Sequence, residues 1–155
     1  MDSMSRLAAL SQDLTLDEYR ELAEFRHQIR SFQTRTEQHA VGVGLDLSSC
    51  VLLLAVQGLP EGAKPTLETL AERLCLPPER VAGLVDNAVG RGDLTRSSPE
   101  AEGVGDWVKL TRTGRESLRL MSLANRDELN RSGPDLVRSL LAVVKQHRRR
   151  NRGVA

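Results

Sequence analysis

Residues 66–92 read TLETLAERLCLPPERVAGLVDNAVGRG, two runs of helical periodicity separated by a proline pair. Proline lacks an amide hydrogen and its ring strikes the carbonyl four residues back, so it suits the first turn of a helix and not the interior. Pro78 therefore marks a new helix start, and the chain must turn just before it. Ahead of the turn, Thr66 is placed as an N-cap, and Leu67, Leu70, Ala71 and Leu74 share one face. Beyond it, Val81, Leu84, Val85 and Ala88 do the same, with Gly90 and Gly92 closing the second helix. Two short amphipathic helices across a tight turn have the spacing of a helix-turn-helix.

The flanking segments are predicted from the same signals. Thr15 and Glu18 form a capping box, with Leu14 and Tyr19 at the staple positions. The helix they begin runs to about His39, with Tyr19, Leu22, Phe25, Ile29 and Phe32 as its apolar stripe. Asp46 caps a second helix through the apolar run CVLLLAVQ, which Gly58 ends in a left-handed conformation. After the helix-turn-helix, Leu94–Ser97 and Trp107–Leu110 pair as a hairpin across a loop of moderate length. Thr111 or Thr113 caps the next helix, the latter with Glu116 as a second capping box, and Gly133-Pro134 opens a last one carrying Val137, Leu140, Leu141 and Val144. The fold class expected is mainly α with a small β-hairpin.

Charge alone does not disclose a partner: 22 Lys and Arg stand against 21 Asp and Glu. No stretch approaches the roughly 18 apolar residues of a membrane span, and the polar start lacks a signal peptide's apolar core, so a cytoplasmic protein with no membrane partner is expected. Cys50 and Cys75 are too few for a disulfide framework and read as buried free thiols. His27, His39 and His147 are scattered and read as exposed helical residues. No converging nucleophile, paired carboxylate or ligand cluster suggests an enzyme, a metal or a cofactor.

In their order, YRELAEFRHQIRSF, TLETLAERL, VAGLVDNAVGRGDLTR and VKLTRTGRESL resemble the winged helix-turn-helix regulators of the MarR family. The resemblance covers about residues 15–147 and implies a helix-turn-helix at about 66–91, a wing at about 93–111 and dimerisation helices at about 15–40 and 112–147. Residues 1–14 read as a flexible N-terminus and 148–155 as a basic tail able to touch phosphates. The resemblance further implies a homodimer on a pseudo-palindromic duplex operator, with a small-molecule effector as a further partner in many members. Apolar stripes at both ends of the chain support dimerisation independently, because they need a surface to cover them.

The same resemblance places the recognition helix in the major groove and the wing at the minor groove. It carries the candidate DNA contacts onto Thr66, Glu79, Arg80, Asn87 and Arg96. Arg80 is the leading base reader, through bidentate contact with guanine, and Glu79 or Asp86 is its alternative local partner. Thr66 suits a phosphate while capping its helix, Asn87 suits a base or a phosphate, and Arg91 suits structural support at a helix end.

Several positions depart from the family's pattern. Ala82 and Gly83 replace a frequent Ser or Thr followed by Arg, and Glu102 and Gly103 stand where the wing has Asp and its cation. Between Lys64 and Lys109 the acids outnumber the cations by eight to six. Phosphate neutralisation supplies most non-specific DNA affinity, so this surface binds less strongly than a basic one. A second reading follows, in which the scaffold is a protein-interaction or ligand-sensing module with weak DNA binding. Phe25, Phe32, Leu53 and Met121 read as core in preference to a ligand cavity, and Trp107 as a packing anchor under the wing.

Overall fold

A computed structural model of the chain describes residues 13–97 and 106–152. Among these residues the order is α1 (Leu16–Gly42), α2 (Leu47–Gln57), α3 (Leu67–Leu74), α4 (Pro78–Arg91), β1 (Leu94–Arg96), β2 (Val108–Leu110) and α5 (Arg112–Arg152). Residues 34–129 make one compact unit, and residues up to 33 together with those from 130 onward make another.

The helix starts follow local chemistry. The Thr15 amide donates to Glu18 Oε2 at 2.7 Å and the Glu18 amide to Thr15 Oγ1 at 3.3 Å, closing the capping box of α1. Asp46 Oδ1 accepts from the Ser49 amide at 2.7 Å, and this bond holds the Asp46 carboxyl below its ordinary range. Thr66 accepts from the Thr69 amide at 3.2 Å, and Pro78 occupies the first turn of α4.

Three helix ends differ from the sequence expectation. Gly58 has φ −99° and is not left-handed; glycine suits it because a Cβ would lie 3.0 Å from the Leu54 carbonyl oxygen that its amide bonds. The left-handed cap falls instead on Cys75, at φ 53°, where the Leu76 amide reaches the Ala71 carbonyl at 3.1 Å. Cys75 is consequently exposed, contrary to the expectation of two buried thiols, while Cys50 is buried. Gly90 lies within α4, and Gly92 alone closes it, at φ 81°.

The larger correction concerns the C-terminal half. No break occurs at Gly133-Pro134: α5 is one helix of 41 residues with Pro134 inside it. Pro134 and Asn130, whose carbonyl loses its usual donor, are both exposed, so water can satisfy the orphaned oxygen. The helix also continues through the predicted tail as far as Arg152. Thr111, and not Thr113, caps it, accepting from the Gly114 amide at 3.0 Å. The predicted Thr113–Glu116 box gives way to an ion pair between Glu116 and Arg119 at 2.9 Å.

The core of the central unit gathers Leu52 and Leu53 of α2, Leu70 of α3, Val81 and Val85 of α4, Leu94 of β1, Val108 of β2, and Leu118 and Met121 of α5. Fully burying one such side chain stabilises by about 1.5–3 kcal/mol, so this cluster fixes the helix-turn-helix against the hairpin. Gly114 seals one corner, where a Cβ would come within 2.0 Å of the Asp93 carbonyl oxygen. His39 is half-buried here instead of exposed, whereas His27 is exposed as expected.

Candidate nucleic-acid interface

The buried positions of α4 leave Glu79, Arg80, Gly83, Asp86, Asn87 and Gly90 on its exposed side. These recur at helical spacing and form one continuous strip. Neither Gly83 nor Gly90 has anything within 4 Å of where a Cβ would stand, so bare backbone makes up part of the strip. Arg80 projects from the first turn and forms no ion pair with any described residue. Its alternative partners, Glu79 and Asp86, do not hold it.

Asp86 binds Arg96 instead. Arg96 Nη2 lies 2.5 Å from Asp86 Oδ1, joining the end of β1 to α4. Both side chains are well exposed, at 47% and 68%, so a phosphate approaching Arg96 meets a solvated competitor and not a buried one. Arg91 likewise pairs with the buried Asp93 at 2.8 Å, as expected of a supporting residue at the end of a helix. Thus, among the described residues, at least two of the six cations counted on this surface, Arg91 and Arg96, are engaged by its own acids.

The hairpin places further groups beside the helices. Leu94 faces Leu110, Thr95 faces Lys109 and Arg96 faces Val108 in antiparallel register, and the Ser97 amide donates to the Trp107 carbonyl at 2.7 Å. Regular strand geometry is one residue shorter at each outer end than the sequence suggests. The wing positions Glu102 and Gly103 lie outside the described residues.

Trp107 also forms an antiparallel bridge with Thr66, supported by the Val108 amide donating to the Pro65 carbonyl at 3.2 Å. The segment before α3 therefore lies alongside the hairpin. Lys64 Nζ stands 4.6 Å from the centre of the Trp107 ring, and Lys109 Nζ 4.3 Å. Sequence reasoning assigned neither lysine a role. Half of the arrangement was readable, since residues 107 and 109 point to the same side of a strand. The approach of Lys64 depends on tertiary pairing that no local spacing announces.

A cavity of about 270 Å³ opens between the start of α3, α4 and the strands. Thr66 and Arg96 both line it, together with Glu68, Ala82 and Asp106. Glu79, Arg80 and Asn87 are absent from its lining and remain on the outer strip of α4. The five predicted residues thus divide into a set on the outer strip of α4 and a pair at the root of the hairpin.

Leu53 and Met121 are core residues, in keeping with the sequence reading. Met121 and Cys50 border a second cavity of only about 30 Å³. Burial pushes the Cys50 thiol up to about 11, with the Asp46 carboxylate adding to the shift. The thiolate is the reactive form, so this site is inert near neutral pH.

No family model matches the sequence, and no curated protein matches it. Solved structures do. AbsC, a MarR family transcriptional regulator from Streptomyces coelicolor, superposes with a TM-score of 0.71 at 19% identity, covering 92% of this chain and 99% of its own. The regulator MosR from Mycobacterium tuberculosis gives 0.57 at 18% identity over 80% of this chain and 91% of its own. CouR from Rhodococcus jostii, bound to p-coumaroyl-CoA, gives 0.56 at 21% identity over 65% and 69%. These likenesses show that the chain has the winged-helix fold of such regulators.

Proposed function

We propose that the chain is a DNA-binding transcriptional regulator of the MarR type, acting in the cytoplasm as a homodimer on a pseudo-palindromic duplex operator. The likeness to AbsC along nearly its whole length carries the reading, because it supports both the helix-turn-helix and its flanking helices. Arg80, exposed and outside any ion pair among the described residues, reads a base in the major groove. Asn87 lies farther along the same strip, Glu79 sets polarity at the helix start, and Thr66 and Arg96 meet the backbone beside it.

Dimerisation draws support from the terminal unit, where Leu16, Tyr19 and Leu22 of α1 and Val137, Leu140, Leu141 and Val144 of α5 are all exposed. A second copy covers such stripes. A ligand response belongs to the proposal at the level of class alone. CouR holds p-coumaroyl-CoA, whereas the internal cavity beside Met121 would have to enlarge well beyond 30 Å³ to admit a comparable molecule.

The test is binding to duplex DNA from around the protein's own gene across a salt series. Sequence-selective binding that weakens linearly in log K against log salt supports the regulator, and absence of binding at low salt removes it. The second reading, an interaction or ligand-sensing module with weak DNA binding, is favoured by the Arg96–Asp86 pair, which engages a phosphate-seeking cation. Asp86→Asn separates the two. On a DNA-binding protein it releases Arg96 and steepens the salt slope by about 0.9, the value for one added phosphate contact. An unchanged slope would leave Arg96 with no part in binding.

A further inference from the structure

We infer that the small cavity among α1, α2 and α5 is a hydration site, in which one buried water joins the Thr36 hydroxyl of α1 to the Asn125 amide of α5. This site is independent of the DNA-binding reading. Most of the cavity wall is apolar, formed by Leu47 and Leu54 of α2 and by Leu118 and Met121 of α5. Thr36 and Asn125 interrupt it. Thr36 is 6% exposed, and its Oγ1 has no hydrogen-bond partner among the described residues. Asn125 Oδ1 is buried and equally without one. Leaving a buried polar atom unbonded costs more than a typical hydrogen bond gains, so two such atoms on one cavity call for a shared partner.

Local structure does not supply that partner. A threonine within a helix commonly turns its hydroxyl back to the carbonyl four residues earlier, here that of Phe32, yet Thr36 Oγ1 makes no such bond. Turning the Asn125 amide over only replaces an acceptor by a donor at the same place. At about 30 Å³ the cavity exceeds the roughly 10–15 Å³ that one water needs, and it is far too small for a drug-sized ligand. A buried water makes about three hydrogen bonds. Thr36 and Asn125 supply two, and the Ser122 hydroxyl or the Cys50 thiol on the same wall can supply the third. Charge does not favour an ion instead. The Cys50 thiol is neutral near neutral pH, and the guanidinium of Arg35, the neighbour of Thr36, pairs with Glu128, which is 2% exposed and one turn beyond Asn125. The facing stretches of α1 and α5 are thus joined directly at one level and through water at the next.

A crystal structure of the full chain at a resolution that shows ordered solvent tests the site directly. Expected is density for one water within hydrogen-bond distance of both Thr36 Oγ1 and the Asn125 amide, lost in Thr36→Val/Asn125→Leu and kept in Thr36→Ser, which retains the hydroxyl. In solution, urea unfolding compares Thr36→Val, Asn125→Leu and the double variant. Each single variant leaves the water one partner short, whereas the double variant leaves a dry apolar cavity, so its loss of stability falls short of the two single losses added together. Additive losses overturn the bridge, because the two side chains are not bonded to each other. Wild-type crystals in which the Thr36 hydroxyl bonds the Phe32 carbonyl, with no density joining it to Asn125, overturn the site outright, and this outcome is readable even where the double variant fails to fold.

Discussion

Three residues show how far atomic crowding and burial outweigh residue type. Gly114 stands where an added Cβ would overlap the Asp93 carbonyl oxygen, at 2.0 Å, and that oxygen is backbone and cannot swing away. Gly114→Ala is therefore expected to destabilise the fold by about 3 kcal/mol or more, measured by urea unfolding, at the upper end of overpacking costs. Cys50 and Cys75 differ in the opposite sense: same side chain, contrasting surroundings. One thiol per chain reacts with a thiol reagent in the native protein and two in denaturant, and labelling of both without unfolding would contradict the buried position of Cys50. Its raised thiol value has a defined sign. The neutral form is favoured by folding, so the Cys50 contribution is complete below about 9 and is lost as pH rises towards about 11. Comparing urea midpoints at pH 8 and pH 10 for the wild type and Cys50→Ala isolates that part of the slope.

At the scale of elements, the helix starts were legible because each depends on a few adjacent residues. Thr15 with Glu18, Asp46, Thr66 and Pro78 all act as the local sequence suggests. Helix ends were less legible, since Cys75 takes a left-handed conformation that glycine adopts more readily, and nothing in its neighbours signals this. Pro134 was misleading for a related reason. A proline removes one hydrogen bond and crowds a carbonyl, yet on an exposed side of a long helix the remaining bonds and solvent can carry the chain through. If the helix passes through this point at a cost, Pro134→Ala should raise stability by about 1–3 kcal/mol, read as a higher midpoint of thermal unfolding. A lower midpoint would show instead that α5 depends on a bend there. The candidate site divides along the same line. Arg80 and Asn87 were singled out by the resemblance and helical periodicity accounts for their exposure, whereas the Arg96–Asp86 pair and the lysines on Trp107 need the hairpin to be seated beside α3 and α4.

At the scale of the whole molecule, the proposed function gives a winged helix whose segment from Lys64 to Lys109 holds eight acids against six cations one further means of binding a palindrome, namely two copies. On the proposed reading, a lone helix-turn-helix with Arg80 as its base reader would gain about 1–3 kcal/mol of discrimination from that contact, too little to select an operator among many competing sequences. Two half-sites joined in one dimer add their contributions, provided that the dimer persists without DNA. The exposed residues Val137, Leu140, Leu141 and Val144 recur at helical spacing on α5, and charge among them would be costly to bury. Leu140→Asp combined with Val144→Asp is thus expected to give a folded monomer by light scattering at micromolar concentration, with unchanged helix content by circular dichroism. Its affinity for the selected duplex should fall by at least tenfold, while low-salt binding to unrelated DNA falls far less, because phosphate contacts act within each copy. A double variant that remains dimeric would place the interface elsewhere. One that becomes monomeric and still binds its operator as tightly as the wild type would show that recognition needs only one copy.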